Sequence, residues 1–122
     1  MKILSRPYII NNQGVPTMIA IEETAEGTTQ LQRLTKRMEV FVEPMRLQII
    51  RILLEHGAMN VKELTAKIGK VVQSTVSRHL KVLHEAGYLR CTERGTSHFY
   101  AVEQTAIRQA LGDLLAYTGL PQ

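Results

Sequence analysis

Residues 73–89, QSTVSRHLKVLHEAGYL, restrict the fold of this chain more than any other segment. When successive residues are placed about 100° apart on a helix, Val76, Leu80 and Leu83 lie together on one side. The opposite side is polar and carries Ser74, Arg78, Lys81 and Glu85. The segment therefore predicts an amphipathic helix that packs on a core through one side and leaves a polar side uncovered.

Two further helices are predicted before this segment. Residues 44–57, PMRLQIIRILLEHG, are apolar around nearly the whole helix, which predicts a central buried helix that ends at its glycine. Residues 60–69, NVKELTAKIG, begin with Asn60 and Glu63 at the spacing of a capping box. Two short helices joined by a tight turn, with a basic second helix, match the helix-turn-helix pattern.

The flanking segments complete a mainly α fold with a small β hairpin. Residues 88–102, YLRCTERGTSHFYAV, predict two strands around a turn at residues 93–97, and a final helix follows from Glu103 to Tyr117. Thr29, with Gln32 three residues later, predicts the start of the first helix.

Residues 1–28 differ from the rest of the chain. Two short β-rich runs joined by residues 11–14, NNQG, predict an N-terminal β hairpin. An isolated two-stranded hairpin is marginally stable, so it must pack on the body of the protein, on a second subunit or on a partner. We therefore divide the chain into an N-terminal β-hairpin extension, 1–28, and a helical domain, 29–118.

The charge of the chain is concentrated around the amphipathic segment. The formal net charge is +4, from 15 basic and 11 acidic residues. Residues 60–98 hold seven of the basic and three of the acidic residues, so the remaining eight of each sign balance elsewhere. This distribution is typical of a surface that faces nucleic-acid phosphates. The chain of 122 residues has no long apolar run and no signal-peptide pattern at its start, which predicts one cytoplasmic domain that does not enter a membrane.

The polar side of residues 73–89 favours double-stranded DNA as the partner, with a solvated helix face as the alternative. A solvated face usually carries long charges of both signs, whereas short hydroxyl side chains here allow a close approach to a groove. Arg78 is the candidate for a bidentate contact to guanine. The predicted DNA-binding residues are Gln73, Ser74, Thr75, Ser77, Arg78, His79 and Lys81 on the helix, with Arg94 and Thr96 at the tip of the hairpin.

The segment from Leu31 to Leu115 resembles the ArsR (ArsR/SmtB) family of bacterial winged helix-turn-helix repressors. The most specific parts are PMRLQIIRIL, QSTVSRHLKVLHEAGYL and the hairpin end FYAV. The resemblance implies a winged helix-turn-helix domain over 29–118 that forms a homodimer, with 73–87 as the recognition helix. It also implies transcription regulation, as a repressor of its own operon that binds a pseudo-palindromic operator. The dimerisation residues implied are Leu31, Leu34, Met38, Ile107, Leu111 and Leu114.

The chain departs from the family at the residues that sense metals and oxidants. Many members bind metals through a Cys-x-Cys-type motif before the recognition helix or through Asp, His and Glu on the last helix. Here MNVKELTAKIG has no Cys or His, and the last helix offers only Glu103 and Asp113. Cys91 is the single cysteine and is predicted to be a small, partly buried apolar side chain. We therefore predict no cofactor, no metal site and no dithiol switch.

Two other classes of function are weighed against DNA binding. An enzyme is not expected, because the chain has no Gly-rich phosphate loop, nucleophile elbow or His-containing metal motif. RPYIINNQGVPTMIAIEE is similar to the strand-turn-strand opening of Phd/YefM-type antitoxins. That similarity implies an antitoxin-like or other interaction module that binds a protein partner through the N-terminal hairpin. An extension of the dimer interface and a disordered segment are the other two interpretations.

Overall fold

The computed structural model describes residues 8–10, 16–18 and 25–121, with side chains from residue 29 onward. The chain divides into two compact units, Met1–Arg33 and Leu34–Gln122. In the first unit, strands β1 (Tyr8–Ile10) and β2 (Pro16–Met18) pair in antiparallel fashion. The predicted turn at residues 11–14 lies outside the described residues.

Over the described residues the chain forms five helices and a second antiparallel hairpin, which confirms the predicted mainly α fold. The elements after β2 are α1 (Ala25–Phe41), α2 (Pro44–His56), α3 (Val61–Ile68), α4 (Gln73–Glu85), β3 (Leu89–Arg94), β4 (Ser97–Val102) and α5 (Gln104–Thr118). Among these helices, none has both the length and the apolar character needed to cross a membrane.

Helix α1 begins at Ala25, four residues before the predicted start at Thr29, so that predicted start was wrong. Adding a residue to a formed helix costs less than nucleating one, so Gly27 lowers helix stability without ending the helix. The division of the chain at residue 28 into extension and domain stays a prediction.

Local capping fixes the starts of α2 and α3. Glu43 is the N-cap of α2, and its carboxylate accepts a hydrogen bond of 2.9 Å from the backbone N–H of Arg46. Asn60 and Glu63 form both hydrogen bonds of the predicted capping box at the start of α3. In the turn to α4, Lys70 has a φ of 51°, a left-handed conformation that is uncommon for a side chain other than glycine.

The core joins α2, α3 and α4. Its fully buried side chains, each with 0% exposure, are Ile49, Leu64, Val76, Leu80 and Leu83. The predicted central helix α2 contributes Ile49, Ile50 and Leu53 to the core, but its Leu47 and Leu54 are 42% and 51% exposed. A domain of this size buries a smaller share of its surface than a large one, so its central helix is covered on one side only.

The second hairpin is hydrogen-bonded to the helix-turn-helix through the link between α2 and α3. Met59 and Tyr100 exchange two backbone hydrogen bonds, of 3.0 and 2.8 Å. At the tip, Gly95 has a φ of 64° and Thr96 has no positive φ, as a type II′ hairpin turn requires. The hairpin therefore projects as a wing from the body that holds α4.

Candidate nucleic-acid interface

Helix α4 presents a polar face directly opposite its buried face. Val76, Leu80 and Leu83 have 0% exposure and fix the helix on the core. The exposed residues of the first three turns are Gln73, Ser74, Ser77, Arg78 and Lys81. The prediction of which side of this helix faces the core and which faces outward is confirmed.

The cations on this face have no partner within the described part of the chain. Neither Arg78 nor Lys81 makes a side-chain hydrogen bond or ion pair there. By contrast, Arg37 pairs with Asp113 at 2.7 Å, and the Arg90 guanidinium pairs with Glu103 at 2.9 Å. The two α4 cations are thus available to an external anion.

The start of α4 adds a positive backbone surface to this face. The N-cap residue is Val72, and no side chain among the described residues caps the helix there. The first backbone N–H group with a partner is that of Thr75, which donates a hydrogen bond of 3.1 Å to the Val72 carbonyl. The N–H groups of the first turn and the helix dipole therefore form a partial positive charge suited to a phosphate oxygen.

Two of the predicted α4 residues are not on the open face. Thr75 is half-buried. The His79 side chain is 12% exposed, and its Nδ1 accepts a hydrogen bond of 3.1 Å from the Arg46 Nε–H. His79 lies three residues after Val76 and four before Leu83, which turns it toward the protein, and a contact between His79 and DNA stays a prediction.

The wing tip carries the other two predicted contacts. Arg94 and Thr96 are both exposed, next to the Gly95 turn. The guanidinium carbon of Arg94 lies 4.8 Å from the centroid of the Phe99 ring, a cation–π contact that orders the side chain without neutralising its charge. The tip thus offers one exposed, ordered cation to an external anion.

Cys91 lies on the face of the wing that carries Tyr100 and His98. Its thiol sulfur is 3.6 Å from His98 Nδ1, and the residue is partly buried, as predicted. Burial, followed by the nearby Cys91 thiol, raises the pKa of Tyr100. Among residues 25–121, no group of three or more His, Cys, Asp or Glu side chains could hold a metal ion.

The predicted dimerisation residues have different positions. Leu34 is 7% exposed, while Met38 and Ile107 pack against the core of their own chain. Leu111 on α5 is 42% exposed, and Leu114 is half-buried. Sequence reasoning missed two further exposed apolar side chains at the end of this helix and beyond it, Tyr117 at 45% and Leu120 at 59%.

Sequence reasoning also missed the residues that hold His79. Arg46 donates from Nε to His79 and from one terminal nitrogen to the Val40 carbonyl, at 3.0 Å. Glu43 Oε1 lies 3.9 Å from His79 Nδ1. The capping pattern of Glu43 and Pro44 marks the start of α2, but nothing in the local sequence pairs that helix start with α4.

Comparisons with known proteins place this geometry in a family. Residues 43–90 match the family model described as "Bacterial regulatory protein, arsR family". The transcriptional repressor PagR of Bacillus anthracis has a similar crystal structure, with 27% identity, a TM-score of 0.57 and coverage of 70% of this chain and 97% of PagR. A homodimeric winged helix-turn-helix DNA-binding domain from Mycobacterium bovis shares the fold, with 23% identity, a TM-score of 0.60 and coverage of 80% and 91%.

The similarity to one curated relative covers most of that relative's length. An uncharacterized HTH-type transcriptional regulator from Methanocaldococcus jannaschii is 30% identical over 84 residues, which are 66% of this chain and 93% of that protein. The matched residues of the family model include α2, α3 and the whole of α4. The chain belongs to the arsR family of bacterial regulatory proteins, and it is a DNA-binding transcriptional regulator.

Proposed function

We propose that the chain acts as a homodimeric, sequence-specific repressor of its own operon, with α4 as the recognition helix. The observation that carries the proposal is the face of α4 on which Arg78 and Lys81 are exposed and unpaired within the described residues. A protein gains nothing in stability from such a face, whereas a phosphate-lined groove would pair both cations.

The side chains of this face suit the major groove of DNA. Ser74 and Ser77 are short enough to let the helix axis approach the groove floor, and each hydroxyl can bond a phosphate or a base edge. The Arg78 guanidinium has the planar fork that pairs with two acceptors of guanine. Lys81 and the wing-tip residue Arg94 supply charges for the sugar-phosphate backbone.

A homodimer would cover the apolar surface of α5. Leu111 and Tyr117 are large, exposed apolar side chains on one helix of a small domain, and such surfaces mark interaction sites. A two-fold dimer would present two α4 helices to a pseudo-palindromic operator, in successive major grooves about 34–36 Å apart. The homodimeric state of the similar M. bovis domain and the repressor role of PagR support this arrangement.

The proposed repressor does not use the family's usual metal or dithiol triggers, and it is not an enzyme. Helix α3 contains no Cys or His, and Cys91 is the single cysteine of the chain. Metal sensing at that helix needs thiolate or imidazole ligands, and a disulfide within one chain needs two cysteines.

Fluorescence anisotropy tests the function directly. The full chain is titrated into labelled DNA from the region upstream of its own gene and into a scrambled duplex, at two salt concentrations. We expect the native duplex to bind at least about 10³-fold more tightly, with an affinity that falls steeply with salt. Equal binding to both duplexes would contradict sequence-specific repression, and no binding at low salt would contradict DNA binding altogether.

Replacing Arg78 with alanine is expected to weaken operator binding by about 1–3 kcal/mol and to affect the scrambled duplex much less. Lys81→Ala is the matched comparison on the same face of α4. The loss of one phosphate contact should weaken binding to both duplexes by the same factor. It should also lower the slope of log affinity against log salt by about 1. If Arg78→Ala also weakens both duplexes equally, Arg78 contacts phosphate and does not read a base.

A further inference from the structure

Arg46 joins three segments of the protein through three hydrogen bonds. Its Nε–H donates to His79 on α4, its terminal nitrogen donates to the Val40 carbonyl in the last turn of α1, and its backbone N–H donates to the Glu43 carboxylate. The Val40 carbonyl is one of those at a helix C-terminus that lack a partner within the helix. The guanidinium therefore ties the end of α1 to the recognition helix.

The hydrogen bond from Arg46 requires an uncharged imidazole. Nδ1 of His79 can accept a hydrogen bond only through its lone pair, so the proton of the neutral ring must lie on Nε2. Protonation at Nδ1 removes that acceptor and brings a second positive charge next to the guanidinium. The arrangement in the structure is thus specific to one protonation state of His79.

Glu43 offers the protonated ring a different partner. Its Oε1 lies 3.9 Å from His79 Nδ1, beyond hydrogen-bond distance but close enough for a small movement to form an ion pair. The same oxygen caps α2 through the Arg46 backbone N–H. An imidazolium would therefore compete with the helix cap for Glu43 and repel the guanidinium that binds Val40.

We propose that Glu43, Arg46 and His79 form a protonation-sensitive clamp that sets the orientation of the recognition helix relative to α1. The proposal rests on the DNA-binding function assigned to α4 above. Neutral His79 holds the clamp closed and α4 in its operator-binding position. A protonated His79 opens the clamp, so that acid lowers operator binding. His79 is a positioning residue, since its neighbour Arg78 is the side chain expected to touch the base.

The charged groups around His79 give the direction of the effect. Burial lowers the pKa of His79 below its usual value of 6.5, Glu43 opposes this shift, and Arg46 and Arg78 reinforce it. The ring is therefore neutral at pH 7. A histidine with a lowered pKa contributes stability above its unfolded value of 6.5, and that contribution is lost as the pH falls toward the folded value. The clamp consequently opens only below pH 6.5.

The expected pH dependence has the opposite sign to the general effect of protonation on DNA binding. Positive charge gained by a DNA-binding surface in acid strengthens its binding to any duplex, whatever the sequence. Opening the clamp misplaces α4 and weakens binding to the operator in particular. A loss of operator affinity on acidification, with no loss for a scrambled duplex, therefore separates the clamp from bulk electrostatics.

The test compares operator and scrambled duplexes at about pH 7.5 and about pH 5.5, with circular dichroism to confirm that the chain is folded at both. We expect the preference of the wild type for the operator to fall about tenfold in acid, within the usual range of coupling between sites. His79→Asn keeps an acceptor oxygen near the position of Nδ1 and cannot be protonated, so its preference should not change with pH. His84→Asn is the control and should keep the acid effect.

Two outcomes of this test would overturn the clamp. One is a wild-type preference for the operator that does not fall in acid, and the other is a His79→Asn preference that falls as much as that of the wild type. Arg46→Lys is a second variant, because a lysine cannot serve both His79 and Val40 and should also lose the acid effect; an undiminished effect in that variant is also evidence against the clamp.

The ring nitrogens of His79 test the clamp without DNA. Their ¹⁵N chemical shifts should show an unprotonated Nδ1 at neutral pH, and a protonated Nδ1 there refutes the clamp. Failure of the proposed function has a different signature, namely no operator preference at neutral pH with the expected Nδ1 shift still present.

Discussion

Replacing Leu111 with glutamate is expected to convert the proposed dimer to a monomer and to weaken operator binding by a factor of about 10²–10⁴. Leu111 is 42% exposed on α5, so a glutamate there does not enter the core of its own chain. In a dimer that buries this face, the carboxylate would lose its water without gaining a partner, which costs several kcal/mol.

The loss of affinity follows from the two half-sites of the operator. A dimer that has bound one half-site holds its second α4 at a high effective concentration over the other half-site. A monomer must bind each half-site independently. Each binding event then gains the contacts of only one Arg78 and one Lys81. Sedimentation velocity measures the oligomeric state, and anisotropy with the operator duplex measures the affinity.

Gln109→Glu is the matched control for this substitution. Gln109 is exposed and lies two residues before Leu111, about 200° around α5, so the same change of charge falls on the opposite side. The control should remain dimeric and lose little affinity. A Leu111→Glu protein that sediments as a dimer would show that α5 is not the interface.

The orientation of α4 could be predicted because one local rule governs both its sequence and its packing. Val76, Leu80 and Leu83 recur at spacings of three and four residues, and the helix buries the side on which they meet. The capping box of Asn60 and Glu63 was equally accessible, since its two hydrogen bonds join residues three apart. Features that depend on near neighbours in the chain can be read from the sequence.

The immediate surroundings of the site depend on residues far apart in the chain. Arg46 and His79 are 33 positions apart, and the hydrogen bond between them depends on how α2 docks against α4. The bridge between Met59 and Tyr100 likewise needs the wing to fold back onto the link after α2. No periodic pattern encodes such pairs, so the sequence could not identify them.

The position of His79 shows how far the helical period alone can predict the surroundings of a side chain. The residue is three positions after Val76 and four before Leu83, which places it at the edge of the buried side of α4. The helical period thus predicts a position at the border, but it does not predict which group the side chain contacts there. The orientation of a side chain at the border of an amphipathic helix depends on the groups of the neighbouring helix. Here the neighbouring helix is α2, and its Arg46 donates a hydrogen bond to His79.

Replacing Leu80 with alanine is expected to lower the free energy of unfolding by about 2–5 kcal/mol. Leu80 has 0% exposure and belongs to the cluster that joins α4 to Ile49 of α2 and Leu64 of α3. The loss combines the transfer of a buried side chain with the cavity left behind, and it is large beside a total stability of about 5–15 kcal/mol. Urea denaturation at one fixed protein concentration measures it, because a dimer's stability depends on concentration.

Leu54→Ala is the same substitution at a position that is 51% exposed, and it should cost less than about 1 kcal/mol. A cost for Leu54→Ala that approached that of Leu80→Ala would mean that the outer side of α2 is covered in the functional assembly.

Leu80 and Arg78 lie two residues apart on α4, but their substitutions should affect different properties of the protein. Leu80→Ala should lower stability and leave the operator affinity of the folded fraction unchanged, whereas Arg78→Ala should do the reverse. That separation is expected if Leu80 contributes only to the packing of the core and the exposed side of α4 makes the contacts with DNA.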